Sequence, residues 1–269
     1  MATSPIPLPN QHKTSGLMVM KDWIWRLLSM ALVFGAWEIA GRVPISIAFP
    51  TFLETMTALG QMIADGRMGK AYLITLEPLI IGVGISGVFG VMLGITMGLS
   101  RTFQWFGEPI FIVMQAAPMA ALIPLVTFVY GIGVTAKVVA VVILAAPIIV
   151  LNSYKAVRNV SISLVQMCRS FQGNRLQEII QIIIPDASPM IFSGLRLGVA
   201  AGFIGVILAE LLITPTGIGD LITYHRSVAD YAEMYAAIFS IIVFAAVSVG
   251  LLEKAEIAFL RPEKKTSRK

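Results

Sequence analysis

Residues 73–99 read LITLEPLIIGVGISGVFGVMLGITMGL, and this stretch decides the fold class. It contains one charged side chain, Glu77, and it is longer than the ~20 apolar residues that a membrane-spanning helix needs. Small residues recur at every fourth position and therefore share one face of such a helix: Gly82, Ser86, Gly90, Gly94 and Gly98. Glycine is common in membrane helices, but five small residues in register favour a groove that a second helix can approach closely.

The composition of the whole chain agrees with a membrane protein. Of its 269 residues, 57% are hydrophobic and 13% are charged, and the mean hydropathy is +0.84. A soluble domain carries roughly 25% charged residues, whereas lipid allows apolar side chains to face outward. We expect an all-α membrane protein with a six-helix transmembrane bundle, formed by the apolar runs Trp23–Ala40, Leu73–Leu99, Phe106–Val129, Val134–Leu151, Pro189–Ile213 and Met234–Leu252.

The chain divides into four parts by composition. Residues 1–22 combine prolines and polar residues before any apolar run, which is typical of a cytoplasmic tail and not of a cleavable signal peptide. Residues 23–69 contain the first span and then Thr51–Ala64, where apolar residues at helical spacing predict an amphipathic helix on the outer surface. Residues 70–255 form the main membrane domain, and residues 256–269 form a basic cytoplasmic tail.

The net charge of +5 is best explained by topology, because Lys and Arg accumulate on the cytoplasmic side of membrane spans. Six spans with both termini in the cytoplasm leave few basic residues outside: Arg42, Arg67, Lys70, Lys137 and Arg226. We therefore predict a multi-pass protein of the cell inner membrane with cytoplasmic termini. A nucleic-acid partner is not expected, because no basic stripe is interleaved with aromatic residues.

The sequence offers no constellation for chemistry. Cys168 is the only cysteine, which excludes an intramolecular disulfide and a cysteine-cluster metal site. The two histidines, His12 and His225, lie far apart in the sequence and argue against a zinc site. No P-loop of the form G-x-x-x-x-G-K-[ST] is present to bind ATP phosphates. We expect no catalytic residue, no metal site and no cofactor bound by this chain.

Prolines and charges inside the spans are candidates for a pathway. Pro118 and Pro124 interrupt the third run, and such breaks either border a pathway or are tolerated kinks. Glu210 and Arg196 lie in the fifth run about 21 Å apart along a helix, too far to pair with each other. Arg196 is expected to contact loop carboxylates or carbonyls, whereas Glu210 either lines an outer gate or pairs with the following loop.

The segment 155–188 is longer than a simple connection requires, and it is patterned. Apolar residues at helical offsets predict one helix over Ser161–Phe171, followed by a bend at Gly173. Asn174 is a good N-cap for a second helix over Arg175–Ile184, which we expect to stop at Pro185. This bent pair suits insertion into a groove on a soluble partner, but it could equally pack on its own bundle.

This segment resembles the EAA loop of binding-protein-dependent ABC importers. The family pattern is E-A-A, three residues, G, nine residues and I-x-L-P, and the same spacing here gives Gln166-Met167-Cys168, then Gln172, then Ile182-Ile183-Ile184-Pro185. Only Ile182 and Pro185 match by identity. Similar motifs flank the loop over roughly residues 70–255, including Gly194-Leu195-Arg196 and Gly217-Ile218-Gly219-Asp220. The resemblance is closest to the branch that imports sulfonates, taurine, nitrate and related small compounds.

The resemblance implies the type I ABC importer permease fold and a division of labour. Two permease copies, in contact with membrane lipid, would form the pathway, and a cytoplasmic ATPase subunit that uses ATP and Mg would dock on the loop. An extracytoplasmic solute-binding protein would deliver the solute. The residues implied in ATPase coupling are Gln166, Met167, Cys168, Phe171, Gln172, Gly173 and Pro185, and the gate or pathway candidates are Glu210, Pro118 and Pro124.

Two other classes of function fit the sequence less well. A self-sufficient secondary transporter or channel predicts paired buried charges and inverted internal repeats, and the sequence shows neither clearly. An intramembrane enzyme predicts a motif such as G-x-S-x-G or H-E-x-x-H, which this chain lacks.

Overall fold

The computed structural model describes residues 16–43, 48–213 and 216–260. Regular secondary structure within these residues is entirely helical. The helices are α1 (Gly16–Arg42), α2 (Phe52–Ala64), α3 (Arg67–Leu99), α4 (Arg101–Ala116), α5 (Met119–Tyr130), α6 (Val134–Arg158), α7 (Ile162–Ser170), α8 (Arg175–Gln177), a π-helical segment (Glu178–Ile183), α9 (Ile184–Leu212), α10 (Ile218–Ser227) and α11 (Tyr231–Leu260).

Five helical stretches in the described part of the chain are long and apolar enough to cross a membrane. The sixth span requires α4 and α5 together, and their axes differ by 108°. The break follows from Pro118, because the proline ring disfavours helical backbone at the preceding residue. Ala117 accordingly has an extended conformation, with φ −65° and ψ 138°. The expected all-α membrane architecture is confirmed, with five spans in the described residues, or six if α4 and α5 form one broken span.

The core of the bundle consists of α3, α6 and α9, with α3 and α9 both packed extensively on α6. The predicted small-residue groove of α3 faces α6. A Cβ atom added at Gly94 would lie 2.5 Å from Cβ of Ser153, and one added at Gly98 would lie 2.5 Å from Cβ of Val157. Such distances leave no room for any larger residue, so the prediction of close packing on this face is confirmed.

A second stripe of small residues places α9 against both α6 and α3. A Cβ at Gly194 would lie 2.6 Å from Cβ of Asn152 on α6, and one at Gly202 would lie 2.8 Å from Val83 on α3. The expectation that Gly194, Gly198 and Gly202 serve helix contact is therefore confirmed, and α6 is the helix that α3 and α9 both contact closely.

Aromatic side chains join α1 to α2 and α11 at one end of the bundle. Phe34 stacks on Phe52 with ring centroids 4.7 Å apart, and Trp37 lies 6.1 Å from Tyr235. Thr51 caps α2 through a reciprocal capping box with Glu54, in agreement with the helix predicted for Thr51–Ala64.

Several predicted boundaries differ from the structure. The fourth span does not end at Leu151 but continues as α6 to Arg158, so part of the expected loop belongs to the bundle. The fifth span starts before Pro189, because the helix already runs through Pro185. The divisions at 22/23, 69/70 and 255/256 all fall inside helices, and α10 lies in a region expected to be a loop. Residues 1–15 and 261–269 of the two predicted tails lie outside the described residues.

Replacing Gly94 by alanine tests the packing of α3 on α6. The new Cβ would lie 2.5 Å from Cβ of Ser153 and 2.6 Å from the carbonyl oxygen of Val150. Overpacking of this kind costs about 1–3 kcal/mol, so we expect a lower melting temperature for the purified variant in detergent.

The matched control is Gly84→Ala on the exposed side of α3, where an added Cβ has no neighbour within 4 Å. This variant should melt at or above the wild-type temperature, because alanine is favoured over glycine in a helix by up to ~1 kcal/mol. Equal melting temperatures for the two variants would contradict the proposed packing.

Candidate functional site: the α6–α9 connection and a buried ion pair

The connection between α6 and α9 begins with α7, which ends in a tight left-handed turn. The N–H of Gly173 donates to the carbonyl of Cys168 at 2.9 Å, and the N–H of Gln172 donates to that of Arg169 at 2.9 Å. This pair of bonds is a Schellman cap. The residue in the left-handed conformation is Gln172, with φ 58°, and not Gly173 as expected.

Gly173 has a different role in this turn. A Cβ atom at Gly173 would lie 2.5 Å from Sγ of Cys168 and 2.9 Å from its carbonyl oxygen, so the chain can fold back on α7 only with glycine there. Sequence reasoning placed the bend one residue too late, because glycine is the usual left-handed residue and glutamine is not.

Beyond the turn, Asn174 caps the next helix as predicted. Its side chain accepts a hydrogen bond from the N–H of Gln177 at 2.8 Å, and the Gln177 side chain returns one to the N–H of Asn174. Glu178 then fastens this helix to α7, since its carboxylate lies 3.1 Å from Nε of Arg169 and 2.7 Å from Nη1 of Arg175. The Glu178 side chain is only 5% exposed, so this ion cluster fixes the angle of the hairpin.

The second helix does not stop at Pro185, contrary to the sequence-based expectation. The π-helical segment Glu178–Ile183 continues directly into α9, and Arg175–Leu212 is one helical stretch. Proline lacks an N–H and crowds the carbonyl four residues earlier. The wider π turn, in which the N–H of Ile184 bonds to Ile179, carries the chain past this crowded point without a break.

The hairpin presents an apolar surface to its surroundings. Phe171 at its tip is 81% exposed, and Met167 is 47% exposed. Gln166, Gln172 and Pro185 are also exposed, whereas Cys168 is half-buried against the turn. Further exposed apolar residues continue this surface on both helices: Ile162, Leu176 and Ile180.

At the opposite end of α9, the structure brings together a buried ion pair. The ammonium of Lys137 lies 2.9 Å from Oε1 of Glu210, and their side chains are 3% and 0% exposed. Lys137 also donates to the hydroxyl of Thr216 at 2.6 Å. The pair therefore joins the start of α6 to the end of α9 and to the segment before α10.

The carboxylate oxygens of Glu210 accept further hydrogen bonds that hold α10. The hydroxyl of Thr75 donates to the Glu210 carboxylate at 3.0 Å, and the N–H of Gly219 donates to Oε2 at 3.0 Å. Thr75 in turn accepts from the N–H of Ile218 at 3.0 Å. Buried charges are tolerated only when they are paired and hydrogen-bonded in this way. Glu210 thus pairs with Lys137 of α6 and also accepts a hydrogen bond from Gly219 in the segment that follows its span.

Sequence reasoning missed the partner of Glu210. Lys137, one of the basic residues expected on the outer side, is buried in the bundle. Glu210 and Lys137 are 73 residues apart in the sequence, so no local pattern links them. Arg196 was also misplaced, because its partners Glu253 and Glu256 lie on α11, at 3.3 and 3.9 Å, and not in a loop.

Comparison with known proteins identifies the fold and the family. Residues 86–253 match the model of the family described as binding-protein-dependent transport system inner membrane component. The chain belongs to this family.

Relatives share sequence similarity with the chain, and a solved structure shares its fold. The chain is 25% identical over 240 residues to the putative aliphatic sulfonates transport permease protein SsuC of Bacillus subtilis, with 86% of each chain covered. It is 28% identical over 196 residues to the nitrate import permease protein NrtB of Synechocystis, covering 73% of this chain and 70% of the relative. A structure of the MetNI methionine ABC transporter has a TM-score of 0.57 at 18% identity, covering 72% of this chain and 96% of that one.

The protein is therefore a multi-pass membrane component of a transport system, and the predicted family and fold are confirmed. At the turn after α7, Gln172 occupies the position where the EAA pattern that the segment resembles has glycine. Pro118 lies at the break before α5, and Pro124 lies inside α5.

Replacing Lys137 by methionine tests the buried ion pair. Glu210 would keep a buried carboxylate without a counter-charge, which costs about 3–5 kcal/mol. We expect a large drop in the melting temperature. The double variant Lys137→Met/Glu210→Gln should recover much of it, because neither side chain is then charged. Equal melting temperatures for the single and double variants would contradict the pairing.

Replacing Gln172 by glycine should stabilise the turn after α7 by about 1 kcal/mol, because a left-handed conformation strains residues with a Cβ. We expect slower hydrogen–deuterium exchange over residues 162–178. Gly173→Ala is the opposing control, because its Cβ would collide with Cys168, and exchange should become faster. Faster exchange in Gln172→Gly would count against this account of the turn.

Proposed function

We propose that this protein is the permease subunit of an ATP-driven ABC importer. Together with a second copy of the chain, it would form the pathway for a small solute that an extracytoplasmic binding protein delivers. The observation that carries the proposal is the membership in the binding-protein-dependent family combined with the apolar hairpin between α6 and α9. The chain would contribute passage and motion, and the ATPase would be a separate subunit that uses ATP and Mg.

The hairpin has the properties of a docking element for the ATPase. Its tip exposes Phe171 and Met167, large apolar side chains of the kind that anchor interfaces. Its angle is fixed by the ion cluster around Glu178, so little ordering is needed on binding. We propose that Gln166, Cys168, Gln172, Gly173 and Pro185 support this surface by shaping the turn and its flanks.

The positive-inside distribution supports placing the hairpin in the cytoplasm together with both termini. Nucleotide binding would close two ATPase subunits and draw two hairpins together. The bundle would then change between inward-open and outward-open packings as a rigid-body movement. At the outer end, the Glu210–Lys137 pair would keep α10 in place, and the broken span at Pro118 and Pro124 would border the pathway.

We propose that the solute belongs to the class of small sulfonates, taurine, nitrate or related compounds. Permeases named for aliphatic sulfonates and for nitrate are similar to this chain over most of its length. A further relative is the taurine transport system permease protein TauC of Escherichia coli, at 27% identity over 158 residues.

A self-sufficient secondary transporter remains the alternative. A secondary transporter is expected to contain paired buried charges, and Lys137 and Glu210 form such a pair. Its hydrogen bonds to Thr75, Thr216 and Gly219 leave both charges satisfied by fixed groups, however, which suits a structural connection better than a site that binds and releases an ion.

Charge substitutions at the tip of the hairpin test the function. Met167→Glu and Phe171→Glu place a carboxylate in the proposed apolar contact, and we expect co-purification with the ATPase subunit to be lost while membrane insertion is unchanged. Leu53→Glu is the matched control, since Leu53 is 61% exposed on α2 at the other end of the protein. ATPase recovery that is equal for all three variants would overturn the docking proposal.

A further inference from the structure

The α4 helix carries a carboxylate that has no basic partner in the described part of the chain. Glu108 is half-buried and lies about two turns after the start of α4 at Arg101, in the first half of the broken span. The side-chain amide of Gln104 and the hydroxyl of Tyr154 both donate to its Oε2, at 3.0 and 3.2 Å. Among the described residues, none donates a hydrogen bond to Oε1. One oxygen of this carboxylate is therefore available to a ligand.

The proline that follows places a second acceptor beside Glu108. Pro109 lies inside α4, which continues to Ala116. Proline has no N–H, so the carbonyl of Trp105, four residues earlier, lacks its usual helical donor. Residues three apart lie on the same face of a helix, so Trp105 and Glu108 are neighbours on the surface of α4. Two acceptors, a carboxylate oxygen and a backbone carbonyl, thus lie close together within a span.

The indole of Trp105 adds an aromatic surface to this pair of acceptors. Its side chain is 80% exposed. Tryptophan is the aromatic side chain that attracts a cation most strongly, and proteins use aromatic surfaces to bind organic ammonium groups. The indole and the carboxylate open onto one cavity of about 540 Å³, which is lined by Gln104, Trp105, Glu108, Pro109, Ile112 and Val113.

Acyl chains and metal ions are less suitable neighbours for this site. A carboxylate within a span is costly in lipid, and such residues usually face the bundle interior or a water-filled cavity. Ca²⁺ and Mg²⁺ need about six oxygen ligands around one point, whereas the side chains lining this cavity offer only the oxygens of Glu108 and Gln104. An organic ammonium group is the ligand that uses the carboxylate, the carbonyl and the indole together.

We propose that Glu108 and Trp105 form a binding site for the ammonium group of a solute. The ammonium would donate to Oε1 of Glu108 and lie against the indole of Trp105. The role in transport rests on the proposed function, in which α4 belongs to the broken span that borders the pathway. Within the proposed solute class, the site would favour taurine, which carries an ammonium group, over nitrate and simple alkyl sulfonates, which carry none.

Three small probes test the binding site on the purified full-length chain in nanodiscs. Taurine and ethanesulfonate differ by one amino group, and ethylammonium carries the ammonium without the sulfonate. The melting temperature is measured against the concentration of each probe at constant ionic strength. We expect it to rise and saturate with taurine and with ethylammonium, because a ligand that binds the folded state stabilises it. Ethanesulfonate and NaCl should give no such rise.

Three variants assign the binding to the proposed residues. Glu108→Gln removes the charge but keeps an acceptor for Gln104 and Tyr154, and it should raise the half-saturating taurine concentration about 10-fold. Trp105→Ala changes an exposed side chain, so that the test does not depend on one variant, and it should raise the concentration about threefold. Glu77→Gln is the matched control, because it removes the same charge from an exposed position on α3 and should leave the concentration unchanged.

The proposal is overturned when neither ammonium probe binds, when ethanesulfonate binds as tightly as taurine, or when Glu108→Gln binds like the wild type. An equal loss in Glu77→Gln would also overturn it, because the effect would then be one of overall charge.

Uptake of labelled taurine is measured separately, after reconstitution with the ATPase subunit and the binding protein. Glu108→Gln should lower this uptake. ATP-dependent uptake that is equal in Glu108→Gln and wild type would overturn the role in solute selection and leave the importer function intact. Glu108-dependent ammonium binding without ATP-dependent uptake of any solute would support the site and contradict the proposed function.

Discussion

The rest of the structure depends on the close approach of α3 and α9 to α6. In lipid, apolar side chains gain nothing by leaving their surroundings, so helices associate through van der Waals contact at short distance. Glycines on α3 and α9 provide that distance, and residues such as Gly94 and Gly194 tolerate no Cβ atom. Because α6 is packed between α3 and α9, its two ends are fixed. The hairpin follows one end of α6, and the Lys137–Glu210 ion pair lies at the other end.

A continuous helix connects these two regions. Arg175–Leu212 spans 38 residues, which corresponds to about 57 Å at ~1.5 Å per residue. One end carries the ion cluster of Glu178 that holds the hairpin, and the other carries Glu210, which holds α10. The π turn before Pro185 keeps this stretch unbroken where a proline would otherwise divide it. Displacement of the hairpin would therefore reach the far end of the bundle without crossing a flexible joint.

The features that the sequence predicted are those with a local periodic signal. The length of the apolar runs predicts the spans, and small residues four positions apart predict the groove of α3. Asn174 and Gln177 predict the start of the second hairpin helix. The pairing of Lys137 with Glu210 has no such signal, because it depends on which helix ends meet in three dimensions. Continuation of the helix through Pro185 also has no local signal in the sequence, because proline normally ends a helix. Only the π turn avoids the clash between the proline ring and the carbonyl of the preceding turn.

The turn after α7 and the turn after α10 share an unusual backbone feature. Gln172 after α7 and Ala229 after α10 both adopt left-handed conformations, with φ 58° and 60°, although neither is glycine. Strain of this kind persists only where surrounding contacts over-determine the conformation. In each case a cluster of opposite charges closes immediately behind the turn, around Glu178 in one and Glu233 in the other. The electrostatic contacts and the turn geometry therefore depend on each other: the strained residue brings the charged groups together, and their attraction offsets the strain.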